Sequence, residues 1–525
     1  MKPLPLGRST FATLRARDEI YVDKTALIYQ LAQFDSKIFL ARPRRFGKSL
    51  LTSTFESLFK EGLRDFQGLA IEKLWSDHTY PVVRLDFSEI KEFANIDEFK
   101  TNYQNFLLSN FREVGFKPNP SLAGDVIFEL SAWFKTLAPS SLVILIDEYD
   151  APLTNCLDKS DLFNLVRSNL SRLFLTLKSN EGCLRFFFMT GITKFSNTSI
   201  FSAFNNLQDI SLYPTYGTLL GYTEEEIRLF FKDYLTRAAD RLHLTEQQIL
   251  EQLREKYDGF SFDMDVSSHV YCPWSVLNFL NYPELGFQNY WYTSGGQPTV
   301  LMKYLTNHAL QSPSVYDEPI LVSLSELSAS RQYDEISIEA LLTQAGYLTI
   351  KEKVGGDYVR LGYPNEEVSR SMAQLYAGEL LKGRNIAQSG VPILAKVMAS
   401  ETPETVVNYF NRALGSIDYV RYPIANEAAC RAYLQVLLIG AALVPKVEVH
   451  NAHGRSDMEV EVGDRHWIFE FKYAGTGSEV ETLLSQAVEQ MKTQHYGESL
   501  SGRQLIRVAL VFNGQERRFS AWQAI

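Results

Sequence analysis

Cysteine is scarce: Cys156, Cys183, Cys272 and Cys430 lie far apart and never form C-x-x-C. That spacing excludes a disulfide framework and a cysteine-based zinc site, and it fits a reducing compartment, so a cytoplasmic protein is expected. Long apolar runs are missing too. The run richest in aliphatics, AYLQVLLIGAALV, is too short for a bilayer and contains Gln435, so no membrane partner is expected. The start, MKPLPLGRSTF, lacks the apolar stretch of a secretory signal. Histidine is rare, and His450 and His453 have no third histidine or cysteine at ligand spacing, which reads as ordinary surface histidines. No G-x-S-x-G nucleophile elbow occurs. Positive charge is not in excess either. The net charge is −10, so nucleic acid would have to be met by a local basic strip or through a bound metal, without help from a global field.

What is present is a globular composition, 45% hydrophobic and 22% charged. At roughly 150 residues per domain, 525 residues suggest three. Residues 1–215 alternate apolar strands with amphipathic helices, the pattern of a parallel sheet covered by helices. The strand candidates are KIFLA, PVVRLDF, SLVILID and LRFFFMTG, whose near-continuous apolar character suggests burial on both faces. NIDEFKTNYQNFLLSNFREVG reads as a helix. Residues 216–395 read as a mostly helical middle region without a chemistry-bearing motif. Its helix starts are marked by capping boxes at Thr223/Glu226 and Thr245/Gln248, with Tyr222 and Ile227 placed for a hydrophobic staple. Residues 396–525 form a final α/β unit, with 13 Lys and Arg against 15 Asp and Glu.

The stretch RPRRFGKSL ends as a phosphate-binding loop of the Walker A type but carries Arg42 where the first glycine belongs. In such a loop backbone N–H groups cradle phosphates, Lys48 reaches the β- and γ-phosphates, and the Ser49 hydroxyl ligates magnesium. KIFLA leads in and KSLLTSTFESLF follows with helical spacing, so the tripeptide Gly47-Lys48-Ser49 sits at a helix N-terminus, where anions are favoured. Arg42, Arg44 and Arg45 add positive charge, and the loop from Arg44 through Phe46 to Ser49 is the expected nucleotide cradle. About a hundred residues on, SLVILIDEYD supplies a Walker B partner: Asp147 to hold magnesium through water and Glu148 to polarise the attacking water. Thr190, at the end of the next apolar strand, is placed to sense a γ-phosphate or to be an ordinary strand-end threonine. The bland alternative for Asp147, Glu148 and Asp150 is a solvated acidic turn.

The second informative stretch is GRSDMEVEVGDRHWIFEFKYA. Gly463-Asp464 between two alternating runs predicts a two-residue hairpin turn of type II′. In that register Val462 faces Arg465, Asp457 faces Glu470, and Arg455 faces Lys472. Met458, Val460, Val462, Trp467, Phe469, Phe471 and Tyr473 then line a core face, while Asp457, Glu459, Glu461, Glu470 and Lys472 form a site on the other. Opposed carboxylates repel by ~0.2–1 kcal/mol. A divalent metal, magnesium or manganese, would neutralise Asp457 and Glu470, and Lys472 would orient a water or stabilise charge on a phosphoryl group. Arg455 is a candidate phosphate contact or a plain surface arginine.

YVDKTALI, ARPRRFGKSLL, LIDEYDAPL, TGITKFSNTSIFSAFNNLQDI, KYDGFSF and YCPWSVLNFL together resemble the AAA-ATPase-like family of bacterial proteins, and the D…E-x-K hairpin resembles its C-terminal PD-(D/E)XK nuclease superfamily domain. The resemblance covers most of the chain. It implies an additional-strand P-loop sheet, ATP as the ligand, and an arginine-rich loop without the first glycine as the usual form. It further implies a metal-ligating or orienting role for Glu427, weaker polar roles for Gln486 and Tyr496, and a link to mobile elements or defence. The expected activity is an ATPase gating a metal-dependent nuclease, with nucleic acid as partner, DNA before RNA, and self-association left open. The rival is a nucleotide-switched binding protein whose nuclease-like domain does not cut.

Overall fold

The structure is a computed structural model that describes residues 1–34, 37–118, 125–194, 207–293, 301, 313–316, 318–328, 337–380, 391–417, 419, 422–441, 443, 445–450, 454–494 and 503–525. The chain divides into two compact units, Met1–Thr306 with Pro319–Val368, and Asn307–Glu318 with Ser369–Ile525.

In the first unit the apolar runs become strands β1 (Lys37–Ala41), β2 (Val82–Asp86), β3 (Leu142–Asp147) and β4 (Leu184–Gly191), joined by a short β5 (Leu207–Asp209) that the sequence pattern did not mark. All pairings are parallel, in the order β2-β3-β4-β1-β5. Every residue of β3 is buried, as its unbroken apolar run predicts. The order inserts β4 between β1 and β3, so the carboxyl ends of these three strands lie side by side. In open parallel sheets that edge is where ligands bind.

Helix Lys48–Glu61 leaves the end of β1 and is fastened to the sheet by aromatic packing: Phe55 lies 4.9 Å from Phe186 and 5.0 Å from Phe188, ring centre to ring centre. Each fully buried phenylalanine contributes roughly 1.5–3 kcal/mol. Helix Ile96–Glu113 forms where expected, with Asn95 accepting from the N–H groups of Asp97 and Glu98.

Both capping boxes close, at the starts of helices Glu224–Phe230 and Glu246–Tyr257, and Tyr222 packs on the cluster containing Ile227. These helices and Pro273–Asn281 enclose a core to which Ile20 and Val22 of the amino-terminal segment belong. A small antiparallel sheet, β6 (Ile320–Ser323), β7 (Thr349–Gly355) and β8 (Tyr358–Gly362), completes the mostly helical middle region.

The second unit carries a mixed sheet of β9 (Lys446–His450), β10 (Arg455–Val462), β11 (Arg465–Ala474), β12 (Gln504–Asn513) and β13 (Arg518–Ala524), ordered β13-β12-β11-β10-β9. Only β11 with β12 is parallel. The hairpin pairs Val462 with Arg465 and Met458 with Phe469, the register expected. Gly463 has φ +60° and Asp464 does not share a positive φ, as a type II′ turn requires. The core face forms as predicted, with Met458, Trp467, Phe469 and Phe471 fully buried.

The opposite face, on which the sequence places the candidate site, is packed as well. Helix Val480–Thr493 covers it, and Ile468 is buried with Ala487, Val488, Met491 and Ala509. The parallel partner β12 makes β11 a central strand, which must be covered on both sides. Among the described residues no helix is long and apolar enough to cross a membrane.

Candidate active sites

The phosphate loop is held by a left-handed residue at each of two points, Arg45 with φ +70° and Gly47 with φ +95°. At Gly47, the residue before the first helical turn, a side chain would be strained, which accounts for the glycine that the sequence does keep. Lys48 is buried and its Nζ donates to the carbonyls of Arg42 (2.9 Å) and Pro43 (3.0 Å), so the ammonium sits inside the curl of the loop. Burial pulls its pKa down, against the nearby carboxylates of Glu148, Asp147 and Asp150.

Arg42 does not add charge to a phosphate cradle as the sequence suggested. It is 1% exposed, donates to the carbonyls of Ala41, Ser211 and Tyr216, and lies 4.4 Å over the Phe262 ring. Burial lowers its pKa to about 9. The side chain is a strut between the loop and the middle region. Phe46 points the same way, its ring 4.9 Å from both Phe260 and Phe262. Only the backbone of Phe46 is left for a phosphate. Arg45 is exposed and stacks over Trp274 at 4.1 Å.

Asp147, Glu148 and Asp150 are not a solvated turn. Asp147 and Asp150 are buried, and Asp150 Oδ2 accepts from the N–H groups of Ile192 and Thr193 and from the Thr193 hydroxyl. Gly191 beside it has no room for a side chain, since a Cβ would lie 2.6 Å from the Tyr149 ring. Thr190 is fully buried and its hydroxyl donates to Asp147 Oδ1 at 2.9 Å, so it orients the carboxylate. Asp147 Oδ2 is buried without a hydrogen-bond partner, with Arg84 3.8 Å away. Arg84 escaped the sequence reading; an arginine inside an apolar strand, beside the acidic strand end, was the available signal.

Glu148 adopts φ +48°, a conformation costly for a non-glycine residue, and faces a cleft of about 330 Å³ that also includes Arg44, Arg45, Lys48 and Ser49. Burial raises the pKa of Glu148, Lys48 lowers it, and Asp150, Asp147 and Asp86 raise it further.

The hairpin site sits on β10 and β11. Asp457 Oδ2 accepts the backbone N–H of Phe471 at 2.8 Å. Glu470 is 1% exposed; Lys472 Nζ donates to its Oε1 at 3.0 Å, while Oε2 is buried without a partner. Burial and the Asp457 charge push Glu470 up to about 7, against the pull of Lys472. Burial would lower Lys472, but Glu470, Glu427 and Asp457 outweigh it and its pKa is raised. Helix Glu427–Gly440, capped by Asn426, brings Glu427 to 4.0 Å from Lys472.

Glu459 is not part of this site. It is buried, accepts from Ser456 at 2.7 Å and lies 2.9 Å from His466 Nε2. Against the cost of burial, those two contacts hold its pKa below the ordinary value. Arg455 and Gln486 are exposed. Tyr496, His453 and the side chain of His450 fall outside the described residues.

Two of the buried carboxylate oxygens that lack a hydrogen-bond donor, Asp147 Oδ2 and Glu470 Oε2, fit a divalent cation, which would supply the missing partner. Among the described residues no three His, Cys, Asp or Glu side chains converge as a cage. A small, hard divalent cation suits that arrangement, because such an ion is commonly held by one or two carboxylates with water and substrate phosphate.

Residues 5–201 match a family model described as predicted AAA-ATPase, and residues 427–522 match one described as PD-(D/E)XK nuclease superfamily, in the order that the motifs predict. The chain is also 30% identical over 517 residues, 96% of its length and 94% of the relative's, to an uncharacterized protein in the vnfD 5′ region of Azotobacter chroococcum mcd 1.

Proposed function

The chain belongs to the predicted AAA-ATPase family and carries a C-terminal domain of the PD-(D/E)XK nuclease superfamily, and from that premise we propose an ATPase whose nucleotide state gates a magnesium-dependent nuclease. In this reading residues 1–215 are the ATPase core, 216–395 its helical lid or linker and 396–525 the nuclease. One observation carries it: both sites present a buried carboxylate oxygen without a partner, within electrostatic reach of a lysine.

At the first site Ser49 and Asp147 would hold magnesium, with Thr190 fixing the carboxylate. Lys48 orients the β- and γ-phosphates, and Glu148 takes the proton of the attacking water, a role that its raised pKa suits. At the second, Asp457 and Glu470, with Glu427 at the rim, would hold the metal. Lys472 holds its proton firmly and stabilises charge on the phosphoryl group. When bound, magnesium supplies charge neutralisation at the phosphate oxygens.

Contacts inside the first unit support this reading of coupling. The Phe46 ring of the loop packs on Trp291, whose backbone N–H donates to Glu367 at 2.9 Å. Glu367 lies in the first turn of the helix Glu366–Leu380, within which the chain passes to the second unit.

The test is cleavage of a mixed DNA and RNA panel with magnesium or manganese, with and without ATP. The expected result is cutting that depends on ATP and disappears in Lys472→Ala. Equal turnover with ATP, ADP, no nucleotide and Glu148→Gln would remove gating. Absence of cutting beside intact ATP hydrolysis would leave the nucleotide-switched binding protein.

A further inference from the structure

Arg84 stands one step below the acidic strand end. The parallel register of β2 and β3 pairs it with Leu145 and sets Asp86 beside Asp147, so Arg84 and Asp147 share one face of the sheet. Arg84 Nη1 donates to Glu56 Oε2, on the helix Lys48–Glu61, at 3.2 Å. Its Nη2 lies 3.8 Å from Asp147 Oδ2, too far for a hydrogen bond and close enough for electrostatic attraction. Arg84 Nε is buried without a hydrogen-bond partner, and so is Asp147 Oδ2.

The neighbouring polar groups are engaged elsewhere. Asp86 Oδ1 accepts from the N–H and the hydroxyl of Ser88, at 3.0 and 2.6 Å, and Asp150 Oδ2 is held by Ile192 and Thr193. Thr190 takes Oδ1 of Asp147. Arg42, the strut of the loop, reaches its carbonyls at 2.6–3.2 Å, whereas Arg84 stops short of Asp147. It therefore lends positive charge to the carboxylate and leaves Oδ2 open to a further ligand.

That charge matters because Asp86, Asp147, Glu148 and Asp150 crowd the strand end. Beyond the effect of burial and against Lys48, the other three carboxylates raise the pKa of Glu148. Such a crowd attracts a bare divalent cation, and a fixed guanidinium beside Asp147 opposes it. A triphosphate brings its own negative charge and restores the balance. Resting on the ATP reading of this site, we propose that Arg84 is a positioning residue that makes metal entry depend on nucleotide. Through Asp147 it weakens the binding of a bare divalent cation and admits the cation together with the triphosphate.

The test reads metal occupancy rather than turnover. Manganese binding is followed by electron paramagnetic resonance in full-length protein carrying Asp457→Asn and Glu470→Gln, so that the hairpin carboxylates do not compete. Without nucleotide, Arg84→Gln should bind manganese about 10-fold more tightly than this parent. Arg84→Lys, which keeps the charge, should stay near the parent, and adding Asp147→Asn to Arg84→Gln should abolish the gain. With a non-hydrolysable ATP analogue present, the difference between Arg84→Gln and the parent should largely close. The proposal is overturned by unchanged or weaker binding in Arg84→Gln, by equal tightening in Arg84→Lys, or by a gain that survives Asp147→Asn. Equal tightening with and without the analogue overturns it as well. A parent that binds no manganese even with the analogue overturns the ATP reading too, whereas a parent that binds it only with the analogue keeps that reading whatever Arg84 does. Should Arg84→Gln not fold, Glu56→Gln decides. With Glu56 neutralised, the guanidinium charge falls on Asp147 alone and manganese binding without nucleotide should weaken; unchanged binding overturns the proposal.

Discussion

The two candidate sites differ in what holds them together. The first gathers Lys48, Asp147, Glu148 and Thr190 from the ends of three strands, and its loop is clamped from outside by Phe260, Phe262 and Trp274. The second places Asp457, Glu470 and Lys472 on one hairpin and adds only Glu427 from elsewhere. Their lysines differ accordingly. Lys48 is held by backbone carbonyls and its pKa is depressed, whereas Lys472 is ion-paired and its pKa is raised. A site built from distant segments depends on the packing around it; a site built on a hairpin depends on the hairpin.

The largest expected effects dissociate the two. Glu148→Gln should lower ATP turnover by about 10²–10⁴-fold while ATP still binds, and Lys472→Ala should lower cleavage by a similar factor with ATP turnover unchanged. Parallel rate measurements on both variants check this, and loss of ATP turnover in Lys472→Ala would sink the idea of two separable centres.

Arg42→Gly restores the missing glycine of the loop, yet it should harm the first site only. The carbonyls of Ser211 and Tyr216 lose their donor, at ~1–3 kcal/mol for each buried acceptor left unpaired. A lower thermal midpoint and weaker ATP binding are expected. Tighter ATP binding at undiminished stability would show that Arg42 is no strut.

Glu367 tests the same dependence through pH. Burial pushes its pKa to about 7 from 4.5, against hydrogen bonds from Ser275, Trp291 and Tyr290. The folded state thus keeps a proton that the unfolded chain releases. The associated stability is fully present below pH 4.5 and is lost as pH rises through about 7. The unfolding free energy from denaturant titrations should fall across that window, by on the order of 3 kcal/mol at most, and Glu367→Gln should flatten the fall. An unaltered slope in the variant would assign it to other groups.

The smallest effect is expected at the hairpin itself. Gly463→Ala places a side chain at φ +60° and should cost ~1 kcal/mol. Cleavage, but not ATP turnover, should decline, as paired assays would show.

Much of this was legible without coordinates. The four main strands, both capping boxes and the hairpin register follow from period, caps and one turn, all of them local properties. Strands β5 and β13 were not marked, because LQD is too short to show alternation and RFSAWQA lies beside a polar turn. The middle region, which lacks a recognisable chemical motif, nevertheless supplies Tyr222 and Trp274 to the cleft beside Lys48 and Ser49.

The sequence by itself determined which residue types meet at each strand end and which face of the hairpin is apolar, since both depend only on neighbours within a few positions. Tertiary structure alone decided the direction of Arg42, the covering of the second hairpin face and the pairing of Glu459 with His466. Each of those outcomes depends on where a distant segment leaves a carbonyl, a ring or a cavity, and a buried polar group goes where a partner exists.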